Sequence, residues 1–314
     1  MITTDRFFHV NGQSRGFFEG WYFKHQVGTQ VYALIPGISI DDTGEKHAFI
    51  QVISQASSHY FSFPAEELKV DEEAQQIVIG ANLFSMRGVQ IALKSDELTI
   101  EGSLRYHNLF PIQRSRYAPS IMGPFSYLSF MECYHGILSM AHTISGVVTW
   151  NGREIDFAGG KGYIEKDWGT SFPSAYLWVQ CNQFTSDDIR FFFSAADIPF
   201  LGLAFLGLIC VVQIGNKEYR FATYYGGKIT DIMRNEDRLT IHLVQKNQQV
   251  TIEIATKTGH ALQAPASGKM SRIIRESAST TMQLTVRETG REILSEKGNM
   301  AGFEEVGNLR GFHY

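Results

Sequence analysis

Short runs of alternating apolar and polar residues, separated by turn dipeptides, fill almost the whole of this chain. The pattern is typical of antiparallel β-strands, in which successive side chains point to opposite faces of a sheet. The clearest hairpin pattern is Asn151-Gly152, which lies between two such runs. Only residues 271–277 offer a short helix candidate, and aromatic residues at 13% with 29 glycines favour strands and tight turns. We therefore predict an all-β fold.

The succession of strands repeats in the second half of the chain, and one stretch of the two halves aligns without a gap. Residues 152–169 read GREIDFAGGKGYIEKDWG and residues 290–307 read GREILSEKGNMAGFEEVG, which places Asp167 on Glu305. Two copies of about 150 residues, each with roughly eight short strands, predict two tandem antiparallel β-barrels from an internal duplication. Chance similarity within one hairpin is the alternative. We predict domains at residues 1–170 and 171–314.

Composition and motif searches argue against several classes of function. A net charge of −4 gives no electrostatic basis for nucleic-acid binding. Cys133, Cys181 and Cys210 form no CxxC pair, and the histidines show neither HxH nor HExxH spacing, so no metal site is predicted. The chain has no GxSxG elbow, P-loop or GxGxxG motif after a strand, so no cofactor is predicted either.

One apolar segment raises the question of membrane contact. The segment from Ile198 to Ile214 is nearly all apolar, but it is short for a spanning helix and contains Pro199, Gly202 and Gly207. We predict an apolar loop followed by a buried strand, and the alternative is a loop that makes peripheral contact with a membrane. The first residues of the sequence show no apolar stretch of the secretory type, so a cytoplasmic location is expected.

Residues 160–184 combine a Lys-Asp-Trp-Gly turn with a run that alternates aromatic and amide side chains. In a strand, Tyr176, Trp178, Gln180 and Asn182 would share one face. Apolar bodies with a few hydrogen-bonding tips are typical of the wall of a ligand cavity. The alternative is a half-buried strand whose aromatic residues belong to the core.

Four segments together resemble the tocopherol cyclase-like family. They are FEGWYFK at residues 18–24, GPFSYL at 123–128, MECYHGILSMAHTISG at 131–146 and GYIEKDWGTSFPSAYLWVQCNQF at 162–184. More distantly, the chain resembles the carotenoid 1,2-hydratase relatives, which share an EKDWG-like turn. The resemblance implies two lipocalin-like barrels and an apolar, isoprenoid-like or lipid-like ligand. The plant cyclase closes a chroman ring by protonating a prenyl double bond, whereas many bacterial relatives have no assigned activity.

Protonation of an alkene needs a buried acid, and aromatic faces stabilise the cation that results. Each candidate acid has aromatic neighbours, as Asp167 has Trp168 and Tyr163, although a purely structural role is the alternative for each. The candidate catalytic residues are Asp167, Glu19, Glu132 and His135. The candidate ligand-binding residues are Trp21, Tyr22, Tyr134, Tyr163, Trp168, Tyr176, Trp178, Gln180 and Asn182.

Two functions from different classes stay open, beside a purely structural or stress-related role. The main prediction is that the chain binds an apolar small molecule without turnover. The alternative is a cofactor-independent cyclase or hydratase that protonates a prenyl double bond. The pocket could lie inside one barrel or at the junction of both, and we favour the junction because residues 162–184 link the two domains. The sequence does not indicate an oligomeric state.

Overall fold

The computed structural model describes residues 7–257 and 259–314, and its long elements are all β-strands. The strands are β1 (Phe17–Val27), β2 (Gln30–Ile40), β3 (Lys46–Ser54), β4 (Ser58–Pro64), β5 (Leu68–Asp71), β6 (Gln76–Ile79), β7 (Asn82–Ser85), β8 (Gly88–Lys94), β9 (Thr99–His107), β10 (Cys133–Trp150), β11 (Arg153–Asp156), β12 (Gly160–Gly169), β13 (Tyr176–Cys181), β14 (Gln183–Phe184), β15 (Ile189–Phe200), β16 (Leu203–Ile214), β17 (Lys217–Ala222), β18 (Lys228–Asn235), β19 (Arg238–Gln245), β20 (Gln248–Ala255), β21 (His260–Ala266), β22 (Lys269–Glu288) and β23 (Arg291–Val306). Three short 3-10 turns cover Ala65–Glu67, Gly123–Tyr127 and Thr223–Tyr225. The all-β prediction is confirmed.

The first half of the chain forms one antiparallel sheet of 12 strands. Its order is β4-β3-β2-β1-β12-β10-β9-β8-β7-β6-β5, with β11 on β10. Ile50 on β3 and Ile77 on β6 share a hydrophobic core with Phe23 on β1 and Ile144 on β10. Strands near both ends of the order therefore enclose the same interior, as in a barrel.

The second half forms a sheet of 11 strands with the corresponding order, β17-β16-β15-β13-β23-β22-β20-β19-β18. In each sheet the first strand pairs with the last one, and the turns at Asn151-Gly152 and Thr289-Gly290 lead into equivalent strands. Both turns have positive φ at their two central residues, as a two-residue hairpin of type I′ requires. The predicted duplication into two antiparallel barrels is confirmed. The predicted domain boundary at residues 170 and 171 stays a prediction.

The gapless alignment of the two halves matches residues that have equivalent strand partners. It does not match residues that lie on the same face, inner or outer, of their barrels. Trp21 lies opposite Lys166 and Trp178 lies opposite Glu304, as the alignment requires. However, Trp21 packs inside the first barrel, whereas Trp178 packs outside the second, at the junction. Irregular pairing between β22 and β23 accompanies this difference, because an extra residue in a strand reverses the direction of the side chains beyond it.

A third hydrophobic core joins the two barrels. Tyr22 and Ala33 of the first barrel pack with Trp178, Phe192 and Leu262 of the second. Buried polar contacts also cross the same junction. The Lys24 ammonium donates a hydrogen bond to Gln180 Oε1 at 2.9 Å, and the Gln26 amide donates to Asn182 Oδ1. The outer face of one barrel is thus fitted against the outer face of the other.

The short helix candidate is a strand, and one local prediction is wrong. Residues 271–277 belong to strand β22, whose burial alternates with period two and not with a helical period. The apolar segment from Ile198 to Ile214 does not begin with a loop, because β15 and β16 form one long hairpin that turns at Leu201 and Gly202. None of the described residues forms a helix that is long and apolar enough to cross a membrane.

Candidate functional site

An apolar cavity lies at the junction of the two barrels. Aromatic and aliphatic side chains form most of its wall, among them Tyr22 and Phe49 from the first barrel and Trp178 and Ile274 from the second. A small group of ionisable side chains also reaches the cavity: His135, Glu165, Asp167 and Glu304. A mostly apolar cavity with a few converging polar groups is the usual form of a small-molecule site.

His135 and Asp167 form a bonded pair on the wall that the first barrel contributes. The two residues are direct partners on the neighbouring strands β10 and β12, so their side chains lie on the same face. His135 Nδ1 is 2.7 Å from Asp167 Oδ1, and the imidazole stacks on Phe192 of the second barrel with ring centroids 5.0 Å apart. Burial lowers the pKa of His135, but the negative charges of Asp167 and Glu165 outweigh this effect and raise the pKa above its usual range.

Glu165 lies two residues before Asp167 on β12 and therefore shares its face. Its Oε2 accepts hydrogen bonds from the Tyr163 hydroxyl at 2.5 Å and from the Trp178 indole nitrogen at 3.2 Å. The same oxygen is 3.6 Å from His135 Nε2. Burial raises the pKa of Glu165 to about 7, which is close to neutrality.

Glu276 and Glu304 form a carboxyl pair on the wall that the second barrel contributes. The two residues are direct partners on β22 and β23, so their side chains lie next to each other on one face. The Tyr22 hydroxyl donates to Glu276 at 2.5 Å, and the Tyr176 hydroxyl donates to Glu304 at 2.7 Å. Burial raises the pKa of both carboxyls, and the charge of Glu276 raises that of Glu304 further. Such a pair retains a proton at neutral pH because two adjacent buried carboxyls cannot both ionise.

His135, Glu165 and Asp167 could also hold a metal ion. Each of them offers one ligand atom, and these atoms lie within 4.8 Å of one another. One imidazole and two carboxylates form a ligand set that suits divalent transition metals. A search for short histidine motifs cannot detect this set, because two antiparallel strands bring its members together.

A model of the family described as "Tocopherol cyclase-like" matches residues 105–308, which include all five ionisable residues of the cavity region. This chain belongs to the tocopherol cyclase-like family. Among curated proteins, the chain is 22% identical to the probable chloroplastic tocopherol cyclase of Oryza sativa subsp. japonica, over 96% of this chain and 77% of that protein. Its identity to the chloroplastic tocopherol cyclase of Zea mays is also 22%, with the same coverage.

Solved structures resemble this tocopherol cyclase-like chain in fold. CghA in complex with Sch210972 has a TM-score of 0.59 and 10% identity, covering 92% of this chain and 88% of that protein. Kievitone hydratase from Nectria haematococca has a TM-score of 0.51 and 9% identity, again covering 92% and 88%. These likenesses confirm the predicted double lipocalin-like fold. The family membership favours the enzymatic alternative over carriage without turnover.

Some predicted site residues of this tocopherol cyclase-like protein do meet at the cavity. Asp167, His135, Tyr22, Tyr176 and Trp178 line it. Tyr163 lies directly behind, where its hydroxyl bonds Glu165. Their roles in binding or catalysis stay predictions.

Glu19 does not line the cavity. Trp21 belongs to the cavity lining, but its ring packs in the core of the first barrel. The Glu19 carboxylate is fully buried, and it accepts a hydrogen bond from the His9 backbone and lies 3.4 Å from the Lys166 ammonium. The Trp21 ring packs 4.4 Å from that of Phe7 and faces the Lys166 ammonium at 5.0 Å. A buried carboxylate that compensates a buried ammonium is a structural arrangement.

Five other predicted residues do not line the cavity: Glu132, Tyr134, Trp168, Gln180 and Asn182. Tyr134 stacks on Trp168, with ring centroids 5.4 Å apart, in a separate small core, and its hydroxyl donates to the Leu128 carbonyl at 2.7 Å. Glu132 is half-buried near Arg272, beside the cavity, and burial raises its pKa. The amides of Gln180 and Asn182 are used in the buried contacts between the barrels.

Three carboxyls of the cavity region were missed as candidates. Glu165 could have been found from sequence, because strand alternation places it between Tyr163 and Asp167 on one face. Glu276 and Glu304 carry no such pattern. Their pairing depends on the register between β22 and β23, which a sequence does not display.

Proposed function

We propose that this protein is a cofactor-independent enzyme that protonates a carbon–carbon double bond of an apolar, prenylated substrate in the junction cavity. The observation that carries the proposal is the carboxyl pair Glu276–Glu304, which meets the cavity through Glu304. A proton donor that stays protonated at neutral pH is what alkene protonation requires. Family membership and the names of the plant relatives support the same reaction class.

Glu304 is the proposed general acid. Its neutral carboxyl transfers a proton to one alkene carbon, and a cation forms on the other carbon. The Tyr176 hydroxyl, which bonds Glu304 Oε2 at 2.7 Å, stabilises the carboxylate that remains. Tyr22 and Trp178 pack edge to face at 5.6 Å beside this acid and provide aromatic surface for the cation.

Glu165 is the proposed general base. A hydroxyl group of the substrate attacks the cation through oxygen, a carbon–oxygen bond forms, and the hydroxyl proton passes to the Glu165 carboxylate. A pKa of about 7 allows Glu165 to be ionised in a useful fraction of molecules and still to accept a proton. His135 lies 3.6 Å from Glu165 and favours its ionised form, whereas the charge of Asp167 opposes it. The substrate is isomerised, and both carboxyls regain their protonation states from solvent.

Addition of water is a second candidate, since the same acid and base could act on a water molecule in place of a substrate hydroxyl. The fold similarity to a protein named kievitone hydratase makes this candidate worth testing. The two reactions differ in mass, because hydration adds one water molecule to the substrate and cyclisation adds nothing.

The test is product analysis after incubation of the protein with a prenylated hydroquinone in D2O. We expect a product of unchanged composition apart from one deuterium on the carbon that received the proton. Glu304→Gln should reduce the rate at least 100-fold, because an amide keeps the shape but cannot donate the proton. Glu305→Gln is the matched control, since Glu305 pairs with Arg234 away from the cavity. Recovery of unchanged hydroquinone from the wild-type protein after long incubation would support carriage and contradict this proposal.

A further inference from the structure

The hairpin of β15 and β16 ends in a group of exposed apolar side chains, which we call the apolar tip. Its exposed members are Phe130, Leu201 and Leu203, and the half-buried Phe200, which contacts Phe130, completes it. Leu201 and Leu203 are 78% and 80% exposed, and Phe130 is 55% exposed. Scattered apolar residues are common on protein surfaces, but large ones side by side usually mark an interaction site.

The turn itself shows that the leucine is unusual at this place. Leu201 has φ of +49° and is followed by Gly202 at +79°. A two-residue turn of this kind favours Asn-Gly, and a branched apolar residue at positive φ is uncommon. The chain therefore keeps an exposed leucine where asparagine would satisfy both the backbone and the solvent.

The apolar tip is continuous with the cavity. The Phe200 ring lies 5.7 Å from that of Phe130 and 6.3 Å from that of Phe125. Phe125 in turn stacks on Phe205 at 5.5 Å, and both rings line the cavity. A path of apolar side chains thus runs from the most exposed leucines to the proposed reaction site.

The surroundings of the tip carry aromatic and basic residues. Tyr127, which is half-exposed, follows Phe125 in the same 3-10 turn, and its hydroxyl donates to the Arg116 carbonyl at 2.5 Å. The side chain of Arg116 is exposed, and within residues 7–257 and 259–314 it forms no ion pair. Apolar side chains bordered by tyrosine and arginine match the layers of a bilayer surface, where acyl chains lie beneath anionic headgroups.

We propose that the apolar tip docks on the surface of a bilayer that contains anionic phospholipid, so that an apolar substrate passes from the bilayer into the cavity. The entry route rests on the proposed function, whereas docking itself does not. Leu201, Leu203 and Phe130 insert among the acyl chains, and Arg116 contacts a phosphate group.

The test is sedimentation of the full chain with vesicles that contain no substrate. We expect binding to vesicles of phosphatidylcholine with phosphatidylglycerol, and weaker binding to phosphatidylcholine alone. The double variant Leu201→Asn, Leu203→Thr should lower the partition coefficient at least ten-fold, because two inserted apolar side chains are lost. Asparagine suits the positive φ at residue 201, and threonine suits a strand, so the hairpin is kept. Ile273→Thr is the control, since Ile273 is exposed but lies on β22 outside the tip.

The proposal would be overturned if the wild-type protein bound neither kind of vesicle. It would also be overturned if the double variant bound vesicles as strongly as the wild type does. A dimer that the double variant loses would also overturn it, by making the tip a contact between copies of this chain. Turnover separates docking from the proposed function. The double variant should be slow on a vesicle-borne prenyl hydroquinone and normal on a short-chain soluble one. Vesicle binding without any turnover would contradict the proposed function and leave the docking intact.

Discussion

Replacement of Glu276 by glutamine should change how the stability of this protein depends on pH. Glu276 is fully buried, and burial raises its pKa from 4.5 to about 7. The folded state therefore binds this proton more tightly than the unfolded state does. Stability that is present below pH 4.5 is lost as the pH rises through 7, because the folded protein must then either hold a buried charge or give up the proton.

The size of the effect follows from the shift. A shift from 4.5 to about 7, at about 1.4 kcal/mol per pKa unit, corresponds to a loss on the order of 3 kcal/mol in the free energy of unfolding. Glutamine has nearly the same shape, its carbonyl can still accept the hydrogen bond from Tyr22, and it carries no proton to lose. Between pH 4.5 and pH 8, the free energy of unfolding should therefore fall by about 3 kcal/mol less in the variant than in the wild type.

The assay is urea unfolding at pH 4.5 and pH 8, followed by tryptophan fluorescence. Glu292→Gln is the control, because Glu292 is half-exposed in a surface ion pair with Arg287 and should leave the pH dependence nearly unchanged. Parallel losses of stability in the wild type and in Glu276→Gln would refute the reasoning. Glu276 would then be compensated by its surroundings in either charge state, and the argument that the pair with Glu304 holds a proton would lose its basis.

Three further predictions concern the cavity. Trp178→Ala should weaken binding of a prenyl hydroquinone about 5- to 150-fold through lost apolar contact, measured by quenching of the remaining tryptophan fluorescence; undiminished affinity would remove the ligand from this wall. Asp167→Asn should lower the pKa of His135, because burial is then less opposed by negative charge; an unchanged imidazole titration by NMR would contradict this. Turnover should be unaffected by EDTA and inhibited by Zn²⁺ bound at His135, Glu165 and Asp167; activity lost to EDTA and restored by a metal would contradict proton chemistry without a metal.

Much of the fold could be predicted because its determinants are local. Strand alternation and turn dipeptides are visible within about ten residues, and the Asn151-Gly152 hairpin lies where its dipeptide indicates. The strand that contains residues 271–277 is harder to predict from sequence, because its charged and aliphatic residues do not alternate clearly. The alternation is seen only in the burial of the side chains. In the same way, Pro199 and Gly202 interrupt the apolar segment and predict a loop, whereas Gly202 serves in the two-residue turn of a hairpin.

The site was only half accessible from sequence, because it depends on which face of each barrel is turned toward the other. Tyr176 and Trp178 were assigned to a cavity from their residue types, and they line one. Trp21 is the corresponding tryptophan of β1, yet its ring packs inside a barrel, as the Glu19 carboxylate does. Residue types do not distinguish the inner from the outer face when both faces are buried.

The site between the barrels has a consequence for how the protein is made. When the ribosome has produced only the first barrel, Tyr22, Val31 and Ala33 lack the second-barrel residues that help to bury them in the complete molecule. The early product is then a barrel with an apolar outer wall and an incomplete cavity that lacks the proposed acid. Synthesis of the last strands, β22 and β23, covers that wall and delivers Glu276 and Glu304 together. Chains that stop short of residue 276 should therefore be both inactive and prone to aggregate, so that the cell's quality control and its catalysis depend on the same final segment.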